Sequence, residues 1–196
     1  MDASGYVAFE GWRRLATGTL AEVVTAAKPA VDRAREPVLI FDSRSEQVEL
    51  DFRGSLAAVL ARLPSPAVRA DRDAEAGDGE PRGRGRPKLG VTAREVTLLP
   101  RHWEWLAGQP GGASAALRRL VEAARKANED RDRLRRGRDV LYRFCSAMAG
   151  DAPGFEEASR ALFAGDRPRF ETHTAAWPPD VRAHALELAA HAFEVP

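Results

Sequence analysis

The fold class of this chain depends on residues 92–127, whose sequence is TAREVTLLPRHWEWLAGQPGGASAALRRLVEAARKA. The first part, residues 94–100, predicts a strand that ends at a proline. Residues 101–107 predict a short helix with Trp103 and Leu106 on one side, and the glycine-rich residues 108–112 predict a turn. A second helix follows, with Ser114 as its expected N-cap. Its apolar face consists of Ala116, Leu117, Leu120, Val121 and Ala124.

This order of strand, helix, glycine turn and helix resembles the ribbon-helix-helix family of DNA-binding proteins. In that family two chains pair their strands into an antiparallel ribbon that enters the major groove, and the start of the second helix rests on phosphate. The resemblance implies a homodimer, because such a unit cannot bury its own core as a monomer. It implies DNA contacts at Arg94 and Thr97 on the strand and at Gly112, Ser114 and Arg118 on the second helix.

The strand residues that would face the bases are not fixed by the pattern. If Val96 faces the core, the outward residues are Glu95, Thr97 and Leu99. With the opposite phase, the outward set begins at Arg94 and is otherwise apolar. Neither set is well suited to reading bases, although a carboxylate can accept a hydrogen bond from cytosine. A ribbon that dimerises without touching DNA is therefore one alternative, and a helical hairpin packed inside one chain is another.

A second DNA-related motif precedes this segment. It consists of Arg84-Gly85-Arg86-Pro87, flanked by Arg82 and Lys88. The motif resembles an AT-hook, in which glycine lets the backbone enter a narrow groove while two arginines lie along the groove floor. The implied partner is A·T-rich double-stranded DNA, whose narrow minor groove attracts arginine. The alternatives are a linker without a partner, or a segment that binds RNA or acidic proteins.

Basic residues are concentrated in the middle of the chain. Residues 82–143 hold sixteen lysines and arginines against seven acids, a net charge of +9, although the whole chain has only +1. The remaining residues therefore carry −8. This distribution is expected of a protein whose middle contacts phosphate; a solvated charged helix with a basic tail is the alternative.

The residues before this segment predict two regions. Residues 1–64 predict a small α+β domain, with strands expected near 6–9, 13–16, 38–41 and 48–52. Thr19 and Glu22 form a capping box at the start of a helix that Pro29 should end or kink, and Ser55 should cap a second helix. Residues 65–91 contain an acidic run and the basic motif but nothing that could form a core, so we expect a disordered linker.

Residues 128–196 predict a helical C-terminal domain. Apolar residues seven apart between Leu120 and Leu141 allow one long helix despite Gly137, and residues 150–154 should end it. Three helices are expected after it. The first covers residues 155–163, the second is capped by Asp166 and ends at residues 177–179, and the last is capped by Asp180. The whole chain is thus predicted to be an α+β protein.

Composition narrows the class of protein further. No apolar run approaches the roughly 20 residues that cross a bilayer, and the N-terminus lacks the pattern of a signal peptide, so we expect a cytoplasmic protein without a membrane partner. Cys145 is the only cysteine, which excludes an intrachain disulfide, and its apolar surroundings predict that it is buried.

No catalytic or metal-binding pattern is evident in the sequence. His184 and His191 lie seven residues apart, but no cysteine or histidine at four-residue spacing accompanies them. Asp42, Glu49 and Asp51 could meet at a sheet edge and hold magnesium or transfer protons, although surface acids are commoner. We therefore expect no cofactor, no metal and no enzymatic activity.

Most of the chain resembles an uncharacterised bacterial family catalogued as a domain of unknown function. The resemblance is carried by residues 83–125, 155–166 and 176–178, and it implies no activity. The motifs together predict a dimeric, nucleoid-associated DNA-binding protein or transcription regulator, with residues 1–64 holding a small effector or a protein partner. A homodimeric protein-interaction module without DNA binding is the alternative.

Overall fold

The computed structural model describes residues 5–64 and 94–193. Within them, three strands and seven helices make a mixed α+β protein, which confirms the predicted fold class. The strands are β1 (Tyr6–Glu10), β2 (Arg13–Gly18) and β3 (Val38–Phe41). The helices are α1 (Leu20–Arg33), α2 (Leu56–Ala61), α3 (Pro100–Ala107), α4 (Gly112–Ala149), α5 (Phe155–Ala164), α6 (Arg167–His173) and α7 (Pro179–Ala189).

The described residues belong to two compact units. One, here called the sheet unit, contains residues 5–63 and 128–193; the other, the central unit, contains residues 64 and 94–127. Residues 1–64 and 128–196 were predicted as two domains, but their described parts form one. The reason is a shared core, which a reading of each segment by itself does not reveal.

That core forms because both faces of strand β1 are apolar. Val7 and Phe9 pack into a cluster with Phe41 and with the helices of residues 141–193. Tyr6 and Ala8, on the opposite face, pack against helix α1 through Val23 and Ala27. Because successive side chains of a strand alternate between its faces, β1 needs cover on both. Helix α1 supplies one cover and the C-terminal helices supply the other.

The sheet is antiparallel throughout, in the order β2-β1-β3. The predicted fourth strand at residues 48–52 does not form, which corrects the sequence analysis. Only one bridge, Phe41 to Gln47, and one hydrogen bond, from the Val48 N–H to the Ile40 carbonyl at 2.8 Å, continue the pairing. Beyond them the Arg62 guanidinium binds the carbonyls of Asp51 and Arg53, so these carbonyls are taken by a side chain instead of a strand.

Helix α1 begins where the sequence predicts and ends later. The capping box of Thr19 and Glu22 is present. Pro29 was expected to end or kink the helix, but α1 continues to Arg33. An interior proline costs roughly 3 kcal/mol. Pro29 is exposed, whereas Val23, Val24, Ala27 and Ala30 are buried, so burial of the inner face offsets the local cost.

The C-terminal helices follow the prediction with two corrections. Helix α4 is one helix as far as Ala149, and the Asp166 carboxylate caps α6 by accepting from the Arg169 N–H at 3.0 Å. Helix α6 was expected to reach residues 177–179 but ends at His173. Asp180 was expected to cap α7 but lies in its first turn. Its carboxylate instead accepts the Arg14 backbone N–H at 2.8 Å, a partner distant in sequence.

The central unit contains both predicted helices and a different start to the second. Residues 94–99 form neither helix nor strand, so the strand predicted at residues 94–100 does not form within the described chain, and α3 begins at Pro100. Helix α4 begins at Gly112, so Ser114 is not its N-cap. Gly111 and Gly112 have φ values of 82° and 74°, a left-handed conformation that glycine adopts without steric cost. Two such residues in succession place the helix start earlier than a serine cap would.

Candidate nucleic-acid interface

The residues predicted to bind DNA fall into two groups. Those of the AT-hook-like motif lie outside the described residues, and they are Arg82, Arg84, Gly85, Arg86, Pro87 and Lys88. Those of the central unit are Arg94, Thr97, Gly112, Ser114 and Arg118, and all but the half-buried Gly112 are exposed. Arg94 and Arg118 have no ion-pair partner within residues 5–64 and 94–193. Their guanidinium groups are therefore available to an external anion.

The start of helix α4 departs from the predicted phosphate site. The Gly112 N–H, expected to face phosphate, donates to the Gln109 carbonyl at 2.9 Å. Arg119 donates to the Pro110 carbonyl from both terminal nitrogens at 3.2 Å, which fastens the turn to the helix. The next amides of the first turn have no acceptor inside an α-helix, and the helix dipole still favours an anion there. The N–H groups that can face an anion are therefore those that follow Gly112 in the first turn of α4, where Ser114 lies.

The central unit has a weakly basic surface. Its described part, residues 64 and 94–127, holds six lysines and arginines and three acids. Arg125 pairs with Glu122 at 3.2 Å, and both side chains are well exposed, so this pair contributes little to stability. The positive charge therefore remains largely accessible to solvent.

Large apolar side chains also cover the central unit. Six of the nine large hydrophobic residues exposed in the described chain lie here, and together we call them the apolar surface: Val96, Leu99, Trp103, Trp105, Leu120 and Val121. Only Leu106 and Ala116 are buried in the described part of this unit. Trp103 was predicted to share a side of α3 with Leu106, yet it is exposed while Leu106 is buried. An apolar surface of this kind is typical of an interaction site.

Comparison with known proteins identifies a family. A family model described as an uncharacterized protein conserved in bacteria, DUF2239, matches residues 5–189. The chain belongs to this family. The match includes residues of both units and agrees with the resemblance noted in the sequence. No curated protein and no solved structure matches the chain.

The described part of the DUF2239 chain contains neither a metal-binding cluster nor a membrane-spanning helix. Among residues 5–64 and 94–193, no group of three or more histidine, cysteine or acidic side chains could hold a metal ion. None of the helices in the same ranges combines the length and apolar character that crossing a membrane requires. Burial raises the pKa of the Cys145 thiol well above its usual range, so this cysteine is a packing residue.

Two of the three acids that were candidates for a site have structural roles in the DUF2239 fold. Asp51 binds Arg53 through the side chain and the backbone N–H, and these hydrogen bonds hold the pKa of its carboxyl far below the usual range. Asp42 Oδ1 accepts the backbone N–H groups of Arg44 and Glu46, which closes the predicted turn after β3. Within residues 5–64 and 94–193, Asp42, Glu49 and Asp51 do not form a group that could hold a metal ion.

A polar network in the DUF2239 sheet unit was not found in the sequence. His184 Nδ1 lies 2.9 Å from Glu187 Oε2, and Arg14 reaches both oxygens of the same carboxylate at 2.9 Å. Burial lowers the pKa of His184, more strongly than the neighbouring Glu187 carboxylate raises it. The three-residue spacing of His184 and Glu187 on α7 was the available signal. Arg14 lies far away in sequence, so only the fold shows its part in the network.

Proposed function

We propose that this chain is a homodimeric DNA-binding protein, a transcription regulator or nucleoid-associated factor, that pairs through the apolar surface of the central unit. The observation that carries the proposal is the exposure of six large apolar residues within 34 described residues of that unit. A concentration of exposed large apolar side chains in one unit favours an interaction site in that unit. The exposed apolar residues of the central unit suit contact with another protein surface, and its basic residues suit contact with a polyanion.

A second copy of the chain is the partner that fits the apolar surface best. The described part of the unit begins with residues 94–99, which form neither helix nor strand, and two helices follow that bury only Leu106 and Ala116. Pairing residues 94–98 of two chains as strands would bring both sets of apolar side chains together. This is the arrangement that the ribbon-helix-helix resemblance implies.

The DNA part of the proposal is supported by charge and by the hook-like sequence. Residues 82–143 carry a net charge of +9 in a chain whose other residues sum to −8. Arg84 and Arg86 would enter an A·T-rich minor groove, while Arg94, Thr97 and Arg118 would contact phosphate or bases. Binding through several phosphates makes log affinity fall linearly with log salt concentration.

The dimer is tested by sedimentation equilibrium of the purified chain. We expect the wild type to dimerise, and the substitutions Trp105→Ala and Leu120→Ala to weaken dimerisation about tenfold or more, since buried aromatic and aliphatic anchors dominate interfaces. The matched control is Phe163→Ala on α5, because Phe163 is 53% exposed and Trp105 is 54% exposed. A wild type that stays monomeric at all concentrations would refute the dimer.

DNA binding is tested by fluorescence anisotropy with an A·T-rich and a G·C-rich duplex at several salt concentrations. We expect the double substitution Arg84→Ala/Arg86→Ala to weaken binding to the A·T-rich duplex by about tenfold or more and to the G·C-rich duplex less, since base-edge contacts are worth about 1–3 kcal/mol each. The control Arg160→Ala/Arg167→Ala removes the same charge outside residues 82–143. An equal loss of affinity for both duplexes would show that Arg84 and Arg86 contribute only positive charge and do not recognise A·T-rich DNA.

A protein-interaction dimer without DNA binding is the second candidate. The observation that favours it is the Gly112 N–H, which is already bonded to Gln109 and so cannot meet phosphate. This candidate predicts that the dimer forms and that neither duplex binds even in dilute buffer. The two experiments above therefore separate it from the first proposal.

A further inference from the structure

The sheet unit contains a cavity of about 270 Å³ at one end of the sheet. The start of β1 and the end of β2 form part of its wall, and the residues after β3 form another part. Helices α4 and α7 complete it. Its lining includes Asp42, Gly137, Val140, His184, Leu188 and His191. Its volume lies just below the range of common ligand pockets, so it suits a small organic molecule.

One wall of the cavity depends on a glycine in helix α4. A Cβ atom added at Gly137 would lie 2.0 Å from the His191 carbonyl oxygen, far inside contact distance. Gly137 and His191 both line the cavity. The close approach of α4 to the residues after α7 therefore requires this glycine. A helix interior disfavours glycine by about 1 kcal/mol relative to alanine, so its presence here is explained by packing.

His184 lines the cavity, and its hydrogen bonding determines which ring nitrogen can accept a hydrogen bond. The Glu187 carboxylate can only accept, because burial would raise its pKa but the hydrogen bonds from Arg14 and His184 lower it. The proton of a neutral imidazole therefore sits on Nδ1, which lies 2.9 Å from that carboxylate. Burial keeps the ring neutral by lowering its pKa. The Nε2 lone pair is then the group that a ligand can use.

Asp42 supplies the only carboxylate of the cavity wall, and no lysine or arginine of the described chain lines it. Its Oδ1 accepts from the Arg44 and Glu46 N–H groups at 2.8 and 2.9 Å, which fixes the carboxylate in place. Oδ2 has no partner within residues 5–64 and 94–193. A positioned carboxylate without a basic neighbour on the wall favours a cationic ligand over an anionic one. Val140 and Leu188 add apolar contact area.

We propose that this cavity binds a small amine, with its ammonium group on Asp42, a further N–H or O–H donor on His184, and an apolar body against Val140 and Leu188. An ammonium group carries up to three donors, so hydrogen-bonding capacity remains after one bond to Asp42. The site lies in the sheet unit, and the proposal does not rest on DNA binding.

Titration of the full chain with three matched probes tests the site. The probes are 2-phenylethylamine, 2-phenylethanol and 3-phenylpropionate, which share an aromatic body and differ in charge. Nitrogen-15 spectra of the histidine rings report binding. We expect 2-phenylethylamine to move the His184 signals in a saturable way, with an affinity at least about tenfold above that of the other two. Equal binding of all three, or unmoved His184 signals, would overturn the proposal.

Two substitutions locate the charge that is recognised. Asp42→Asn keeps the Oδ1 acceptor that closes the turn and removes the negative charge, so the fold is retained. We expect it to weaken amine binding about tenfold or more. Glu49→Gln is the matched control, because Glu49 is an exposed acid of the same segment outside the cavity wall. The same affinity in both variants would show that Asp42 does not bind the amine.

Discussion

The sheet unit and the central unit handle their apolar residues in opposite ways. In the sheet unit Phe9, Phe41, Phe144 and Phe170 are all fully buried. In the central unit two tryptophans are exposed, Trp103 by 42% and Trp105 by 54%. The sheet unit thus has a closed core, whereas the central unit leaves most of its large apolar side chains in contact with water.

The difference follows from how many layers each unit can assemble. The sheet unit covers both faces of β1, with α1 on one side and α4 to α7 on the other. The described part of the central unit consists of two helical stretches and residues 94–99, and it buries only Leu106 and Ala116. Substitutions of the same kind should therefore affect stability in the sheet unit and self-association in the central unit.

The largest effect is expected from Phe144→Ala. Phe144 is fully buried and its ring lies 5.6 Å from that of Phe9 and 5.5 Å from that of Phe41. Truncation leaves a cavity among these rings, so we expect the free energy of unfolding to fall by about 3–5 kcal/mol. Urea unfolding followed by circular dichroism measures it. Trp105→Ala should change this free energy by less than about 0.5 kcal/mol at a concentration where the chain is monomeric.

The comparison breaks if the two substitutions have similar effects on stability. A large loss for Trp105→Ala in the monomer would mean that the central unit packs its tryptophan in solution and that the apolar surface is not free. A small loss for Phe144→Ala would mean that the core of the sheet unit is loosely packed. Either result would remove the reason for assigning dimerisation to the central unit.

Features set by neighbouring residues could be predicted from the sequence. The capping box of Thr19 and Glu22, the caps at Ser55 and Asp166, the three strands and the long helix α4 are all confirmed. Each depends on a hydrogen bond or a hydrophobic period that spans only a few positions. Cys145 is buried as expected, since its helix has a clear apolar face.

Features that depend on residues distant in the sequence could not be predicted from it. At the end of the predicted strand at 48–52, the Arg62 guanidinium binds the Asp51 carbonyl, and the Asp180 carboxylate accepts the Arg14 backbone N–H instead of capping α7. The shared core of residues 5–63 and 128–193 depends on which faces meet in space. The sequence shows His184 and its spacing from His191, but the burial that lowers the pKa of His184 is evident only in the fold. The DNA contacts stay predictions, because the hook-like motif lies outside the described residues.

A smaller effect is expected from Gly137→Ala. In a free helix this change is favourable by about 1 kcal/mol, but here the new methyl group would meet the His191 carbonyl. We expect the free energy of unfolding to fall by about 1–3 kcal/mol and the cavity of the sheet unit to change shape. Gly108→Ala in the central unit is the control. Gly108 has a right-handed helical φ of −79°, and a Cβ there would lie 3.6 Å from the Trp105 carbonyl oxygen, an ordinary contact distance, so alanine fits there without loss.

An increase in stability for Gly137→Ala would contradict the close approach of α4 to the residues after α7. Helix propensity would then determine the outcome at residue 137, as it does at an exposed position. Equal and small changes in the free energy of unfolding for both glycine substitutions would lead to the same conclusion. That result would leave the comparison between the two units unchanged, but it would refute the explanation of the cavity wall.

The smallest effect is expected from the titration of His184. Its folded pKa is lowered from an ordinary value of 6.5, chiefly by burial. As pH falls below about 6.5, the unfolded state binds a proton that the folded state resists, so stability decreases with falling pH. Urea unfolding between pH 5 and 7.5 measures the slope. We expect a shallower slope for His184→Gln, which cannot titrate. Identical slopes in both proteins would mean that the Glu187 carboxylate cancels the cost of burying the charged ring.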